Sequence, residues 1–174
     1  LNETGASISA SITSNLAANR YISGASLYTI NGPASLINRG AVSITNNSTT
    51  PSSGSDGIDA LGRSATVVNE GTVEINIPGG AGAYGLTARA TAGAAAVTNS
   101  GSVTINGVGA SAAAISTGLS AGTTELKITN NGLLELKGGT STSPTRRVIE
   151  LSSLAGNTIV QQVENLAGGI IRAD

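Results

Sequence analysis

The residues best suited to chemistry in this sequence are two carboxylates three positions apart, Asp56 and Asp59. A pair of this kind at the end of a loop can hold a cation or share acid and base work. Aspartates in such a place more often cap a turn and stay solvated, and this is the role we expect. Both are still candidate binding residues.

Three further residues could contact a ligand. Tyr84 follows a glycine-rich segment, where an exposed aromatic ring can stack on a partner. Arg146 and Arg147 follow a Gly- and Ser-rich segment and could clamp an anion, although paired exposed arginines are usually only solvated. We expect Tyr21 and Tyr28 to cover the first coil.

The composition removes most other chemistry. The chain has no His, Cys, Met, Trp or Phe, so we expect no catalytic triad, thiol nucleophile, zinc site or cofactor. Nine Lys and Arg against ten Asp and Glu give a net charge of −1, which does not suit nucleic-acid binding. No run of about 18 apolar residues occurs, so we expect no membrane insertion by this segment.

One glycine pattern imitates a nucleotide site. Residues 80–85 fit G-x-G-x-x-G after an apolar segment, but a dinucleotide site needs an acidic residue about 20 positions later. The sequence has no Asp or Glu between Glu74 and Glu125. We therefore interpret this segment as a glycine-rich loop.

The elements that position these residues follow from a repeat. The pattern apolar-x-Asn-x-Gly-x-apolar-x-apolar recurs about every 30 residues, and its apolar positions alternate with polar ones as in strands. A fainter second register of apolar residues lies between the copies. The asparagine of the repeat occurs at Asn38, Asn69, Asn99, Asn130 and, in a loosened copy, Asn165.

A single repeat cannot bury its own apolar residues, whereas stacked copies form one continuous core. The sequence therefore predicts an all-β parallel β-solenoid with roughly five to six coils of about 30 residues. We expect the asparagines to stack at one corner, where Asn and Gly tolerate left-handed backbone. Eight residues should face inward: Val42, Ile44, Val73, Ile75, Val103, Ile105, Leu134 and Leu136.

Stacking also predicts which residues share a column. Asp59 should lie between Ser23 and Thr87, and no two carboxylates should be neighbours in one column. We expect one domain over residues 1–174, with an irregular or capping coil over 1–30 and repeat coils over 31–174.

The repeated Asn-x-Gly-x-[Val/Leu]-x-[Ile/Leu], with a Gly- or Ala-flanked Ile between copies, resembles the passenger of bacterial autotransporters, especially the adhesins. The resemblance covers residues 36–171. It implies a right-handed parallel β-helix, exported through the outer membrane and displayed on the cell surface or secreted. The absence of cysteine fits passage through the periplasm in an unfolded state.

The function we expect is non-catalytic adhesion. The partner would be a host cell-surface or extracellular-matrix component, or the same protein on another cell. Loops of variable length, including residues 45–57 and 138–147, should lie above one another at one corner and form the binding surface. The alternatives are a polysaccharide-degrading β-helix enzyme and a passive stalk that displays another domain.

Overall fold

The computed structural model of the chain describes residues 1–12, 21–48, 54–79, 82–107, 111–138, 145–152 and 159–174. None of these residues is helical. Their sixteen strands are β1 (Ser7–Ile12), β2 (Tyr21–Tyr28), β3 (Ala34–Asn38), β4 (Ala41–Asn46), β5 (Gly54–Gly62), β6 (Ala65–Asn69), β7 (Thr72–Asn76), β8 (Ala83–Ala90), β9 (Ala92–Asn99), β10 (Ser102–Asn106), β11 (Ser111–Gly118), β12 (Gly122–Asn130), β13 (Leu133–Lys137), β14 (Thr145–Leu151), β15 (Val160–Asn165) and β16 (Ile170–Ala173).

The chain passes through three sheets in turn, and every neighbouring pair of strands in the described residues is parallel. The first sheet has the order β1-β4-β7-β10-β13-β16. The second has the order β2-β5-β8-β11-β14, and the third has β3-β6-β9-β12-β15. This arrangement is a parallel β-solenoid, as the repeat predicts.

The solenoid has about four turns rather than the five to six predicted. From Asn38 to Asn165 the successive column members are 31, 30, 31 and 35 residues apart, which encloses four turns. The first sheet has six strands in the described residues, and the other two have five each. Within residues 1–30, β1 and β2 already stack in register on β4 and β5.

The interior is an apolar column filled from all three sheets. The eight residues predicted to face inward are each at most 1 % exposed, which confirms that prediction. Because Val, Ile and Leu side chains contribute about 1.5–3 kcal/mol each when fully buried, stacking alone accounts for much of the stability. Polar residues alternate with them and face outward. Equivalent outward residues of successive coils lie side by side and form columns along the outer surface.

The asparagines form a ladder along the corner between the third and first sheets. Each Nδ2 donates to the Oδ1 of the next coil: Asn69 to Asn99 over 2.8 Å, and Asn99 to Asn130 over 2.8 Å. The bonds continue at both ends, from Asn2 to Asn38 and from Asn130 to Asn165, over 2.7 Å in each case. The ladder thus satisfies amides that lie at the buried edge of the core.

Glycine recurs at this corner of each repeat for a different reason from the one we expected. No described residue other than glycine has a positive φ, and Gly101 is not among the glycines that do. A Cβ at Gly101 would instead lie 1.9 Å from the carbonyl oxygen of Gly71 in the preceding coil. Glycine is required because stacked backbones approach too closely for any side chain.

The predicted column of Asp59 is wrong in the first coil. Asp59 lies between Ser26 and Thr87, whereas Ser23 pairs with Asp56. The feature that aligns in the structure is a glycine followed by an apolar residue, so Gly24 lies beside Gly57. The prediction had aligned Ile22 with Ile58 instead. The other part of the prediction holds: no two carboxylates are adjacent in one column of the described strands.

One core position carries an unsatisfied polar group. Thr117 faces the interior between Ala88 and Leu151, is 0 % exposed, and its hydroxyl has no hydrogen-bond partner. We expect Thr117→Val to raise the free energy of unfolding by about 1 kcal/mol, because it removes a buried unpaired hydroxyl without changing the volume. Urea denaturation measures this, with the exposed Thr98→Val as the control. A destabilised Thr117→Val protein would contradict the assignment of an unpaired hydroxyl.

Candidate functional site

Both candidate aspartates of β5 lie on the outer side of the second sheet. On a regular strand, residues three apart point to opposite faces. Here Ile58 is buried in the core, and a Cβ at Gly57 would lie 2.5 Å from Cγ1 of the core residue Val73. Two successive residues therefore face inward. Asp56 and Asp59, which flank them, therefore lie on the same outer side of the sheet: Asp56 lines a groove there, and Asp59 binds Arg89, which lines the same groove.

This groove, the Asp56 groove, is the strongest candidate site in the described residues. Its volume is about 220 Å³, and it crosses the second sheet over β2, β5, β8 and β11. Its lining residues are Tyr21, Asp56, Tyr84, Thr87, Arg89 and Ser116.

Asp56 is a buried carboxylate that is only half satisfied. The side chain is 2 % exposed, and Oδ2 accepts a hydrogen bond from the Tyr21 hydroxyl. Oδ1 has no hydrogen-bond partner. Burial raises the pKa of Asp56 to about 6, opposed by the Tyr21 hydrogen bond and assisted by the nearby charge of Asp59. Burial and the bond to Asp56 likewise raise the pKa of Tyr21.

Asp59 differs from Asp56 because its charge is compensated. Arg89 Nη2 donates to Asp59 Oδ2, and Arg89 Nε donates to Oδ1 over 3.3 Å. The arginine lies two residues beyond Thr87, the partner of Asp59 in register, and so reaches it diagonally across β5 and β8. The second sheet thus holds one paired and one unpaired carboxylate side by side.

Two tyrosines and a threonine complete the walls. Tyr21 is 62 % exposed at the start of β2, although its hydroxyl is held against the buried Asp56. Tyr84 is half-buried in β8, next to Asp56 in register, and its hydroxyl lies 3.3 Å from Oγ of Ser111. Thr87 is 6 % exposed, and its hydroxyl has no partner.

The two predicted arginines do not join this cluster. Arg146 Nη1 donates to the carbonyl oxygen of Gly107 over 2.5 Å, and Nη2 donates to that of Lys137 over 3.3 Å. Burial lowers the pKa of Arg146. Arg147 lies in the column of Tyr84, two coils further on, and pairs with Glu150 at 3.0 Å. The guanidinium groups are thus used separately, and no anion clamp forms between them.

The predicted loop corner lies partly outside the described residues. It joins the first sheet to the second, and the description omits residues 49–53 of one predicted binding loop and 139–144 of the other. Residues 80–81 of the G-x-G-x-x-G segment are also omitted. The Asp56 groove begins where these loops enter the second sheet, since Tyr21, Asp56 and Tyr84 stand near the starts of β2, β5 and β8.

A second groove on the first sheet serves as a comparison. It has a volume of about 340 Å³ and is lined in part by Glu74, Asn106 and Lys137. Asn106 Nδ2 donates to Glu74 Oε1 over 3.1 Å, and Lys137 Nζ pairs with Glu135 at 2.9 Å. None of the unpartnered buried side-chain atoms found in the described residues belongs to this groove. The charged side chains of this groove therefore already have partners.

Four groove residues were not identified from the sequence: Tyr21, Thr87, Arg89 and Ser116. A signal existed for Arg89, because it lies 30 residues after Asp59, one repeat length away, with opposite charge. Tyr21 was missed because the predicted register of β2 paired Ser23 with Asp59. The structure pairs Ser23 with Asp56, and Tyr21, two residues before Ser23, thereby comes next to Asp56. We expected Tyr21 only to cover the first coil.

The hydroxyl of Tyr21 holds down the pKa of Asp56. We expect Tyr21→Phe to raise that pKa by about one unit, because a hydrogen bond to a charged group contributes about 1.5 kcal/mol. The pH dependence of the Asp56 side-chain ¹³C shift measures it. Tyr28→Phe, at a position 64 % exposed on the same strand, is the matched control and should leave the pKa unchanged. An unchanged or lower pKa in Tyr21→Phe would contradict the described hydrogen bond.

The groove can therefore accept and donate hydrogen bonds, and the one carboxylate that lines it, Asp56, has a single oxygen without a partner. Among the described residues no three acidic, His or Cys side chains are grouped to bind a metal ion. The same residues include no helix long and apolar enough to span a membrane. Comparison of the chain with protein-family models, curated proteins and solved structures finds no match.

Proposed function

We propose that this chain is a module of a bacterial surface passenger similar to the autotransporter adhesins, and that it attaches cells without catalysis. In this proposal the β-helix is right-handed, is exported through the outer membrane, and is displayed at the surface or secreted. Its partner is a host cell-surface or matrix component, or the same protein on another cell. The Asp56 groove and the adjoining loop corner form the contact face.

The observation that carries this proposal is the pair of buried, unpartnered polar groups in an open groove. Asp56 Oδ1 and the Thr87 hydroxyl both lack partners and both belong to residues that line it. An unpaired buried polar group destabilises a protein by about 1–3 kcal/mol, so two of them beside one groove call for an explanation, and a bound partner supplies one. The exposed Tyr21 ring beside them adds apolar contact area.

A polysaccharide-degrading enzyme is less well supported. Glycoside hydrolysis generally uses two carboxyl groups, one as an acid and one as a base or nucleophile. Asp56 has a pKa suited to an acid, but Asp59 is bound to Arg89 in an ion pair. Both oxygens of Asp59 accept from Arg89, so this carboxylate is already engaged and is not aimed at a substrate in the groove. The groove is therefore better suited to binding than to bond cleavage.

A solenoid also suits attachment through many copies. The outer face is poor in charge and in aromatic residues, since only 2 % of the chain is aromatic and 11 % is charged. Such a surface makes individually weak contacts, and many weak contacts become strong when they form together between two opposed surfaces. This favours adhesion over capture of a single soluble ligand.

Micrometre beads coated with the purified chain test the proposal. We expect coated beads to aggregate or to attach to epithelial cells or matrix, whereas uncoated beads do neither. In parallel, soluble polysaccharides incubated with the chain should keep their length, as measured by size-exclusion chromatography. Shortened polysaccharide would favour the enzyme, and absence of both attachment and aggregation would favour the passive stalk.

A further inference from the structure

The charges around the Asp56 groove point to a ligand with no net charge. Asp56 lines the groove and disfavours an anion. Arg89 also lines it and places a guanidinium beside any bound cation, although Asp59 compensates its charge. The described residues also provide no cluster of three metal-binding side chains. A neutral ligand that forms hydrogen bonds avoids both conflicts.

The polar groups of the groove include both hydrogen-bond acceptors and hydrogen-bond donors. Asp56 Oδ1 is an acceptor, the hydroxyls of Thr87 and Ser116 can donate or accept, and the Arg89 guanidinium donates. Asp56 is 2 % and Thr87 6 % exposed, and neither Asp56 Oδ1 nor Thr87 Oγ1 has a protein partner. Adjacent ligand hydroxyls, each of which can donate and accept a hydrogen bond, match this combination of donors and acceptors.

The size and walls of the groove restrict the ligand further. Its volume of about 220 Å³ is smaller than the roughly 300–1,000 Å³ of sites for drug-sized ligands. Tyr21 and Tyr84 stand at the side where Asp56 lies, and an aromatic face packs against the C–H groups of a sugar ring. A small ring that carries hydroxyls on its edge and C–H groups on its faces fits these walls.

We propose that the Asp56 groove binds one neutral sugar ring of a cell-surface glycan. The Asp56 carboxylate accepts from one ring hydroxyl, Thr87 bonds to a neighbouring one, and Arg89 donates to a third or to the ring oxygen. The exposed Tyr21 ring covers one face of the sugar. This inference rests on the proposed adhesive function and names the chemical class of its partner.

Titration of the ¹⁵N-labelled 174-residue chain with methyl glycosides of glucose, galactose and mannose tests this inference. We expect at least one to shift the amide signals of Thr87 and Ser116, with a dissociation constant on the order of 1 mM for a ligand of about a dozen heavy atoms. Inorganic phosphate and Ca²⁺, titrated alone, should not shift these signals. Shifts caused by phosphate or Ca²⁺ instead of a sugar would overturn the proposal.

Two variants locate the site. Thr87→Val keeps the shape of the side chain and removes only the hydroxyl, so we expect about tenfold weaker sugar binding. Thr104→Val makes the same change on the outer face of the first sheet and should leave binding unchanged. Sugar binding that survives Thr87→Val unaltered, or no response to any glycoside at ten times the expected constant, would refute the sugar assignment. Coated beads that still attach in that case would leave adhesion itself intact and indicate a different partner.

Discussion

Replacement of Asn99 by alanine is expected to lower the free energy of unfolding by about 3 kcal/mol, the largest loss that we predict for one residue. Asn99 is 0 % exposed, and its side chain accepts from Asn69 and donates to Asn130. Truncation leaves the Nδ2 group of Asn69 and the Oδ1 atom of Asn130 without these partners. Both belong to side chains that are also 0 % exposed, so water cannot readily replace the lost bonds.

Asn165→Ala is the matched control. Asn165 ends the same ladder but is exposed, and it accepts from Asn130 over 2.7 Å. Its loss should lower the free energy of unfolding by less than about 1 kcal/mol, because only one ladder bond is lost and Nδ2 of Asn130 keeps its bond to the Gly132 carbonyl oxygen over 3.1 Å. Urea denaturation followed by circular dichroism measures both. Equal losses from the two variants would show that burial of the ladder contributes nothing.

Asp56→Asn is expected to change how stability depends on pH. Folding raises the pKa of Asp56 from an ordinary 3.8 to about 6, so the folded state holds this proton more tightly than the unfolded state. The resulting stabilisation is complete below pH 3.8 and is lost as the pH rises through about 6. At about 1.4 kcal/mol per pKa unit, the loss amounts to about 3 kcal/mol at neutral pH.

The asparagine variant lacks this titration and should not show the loss. Its stability relative to the unchanged protein should therefore rise by about 3 kcal/mol between pH 3.5 and pH 7.5. Titration of the carboxylates distant from Asp56 is common to both proteins and cancels in the difference. Denaturation at a series of pH values measures it. A difference that does not vary with pH would mean that Asp56 titrates normally and is not a buried, half-satisfied carboxylate.

Much of the fold could be predicted because the repeat reports directly on stacking. The alternation in Val73-Glu74-Ile75 indicates which residues face inward, and the recurrence of Asn69 at Asn99 indicates which coils are neighbours. These features are local and recur at nearly constant spacing. The sequence pattern is weaker in the first coil, where Ile22-Ser23 imitates Ile58-Asp59 although the aligning feature is Gly24.

The site could be predicted only in part, because it depends on an irregularity. Asp56 and Asp59 were identified by residue type, but regular strand geometry would have placed them on opposite faces. They lie on the same side because the two residues between them, Gly57 and Ile58, both face the core, where a Cβ at Gly57 would lie 2.5 Å from Cγ1 of Val73. Burial of Asp56 and its bond to Tyr21 likewise arise from packing between coils, which the order of residues does not reveal.

The outer face of the second sheet is the proposed functional face. The most direct test places arginine on the outer face of each sheet in turn and measures the attachment of beads coated with each variant. One outward residue on each sheet is replaced: Thr104→Arg on the first, Ser116→Arg on the second and Thr98→Arg on the third. We predict that Ser116→Arg, whose long side chain fills the Asp56 groove, reduces bead attachment by about tenfold or more, since weakening is multiplied over many copies. The other two variants should attach like the unchanged chain. Undiminished attachment with Ser116→Arg, or an equal loss with Thr98→Arg, would contradict the claim that the second sheet carries the adhesive site.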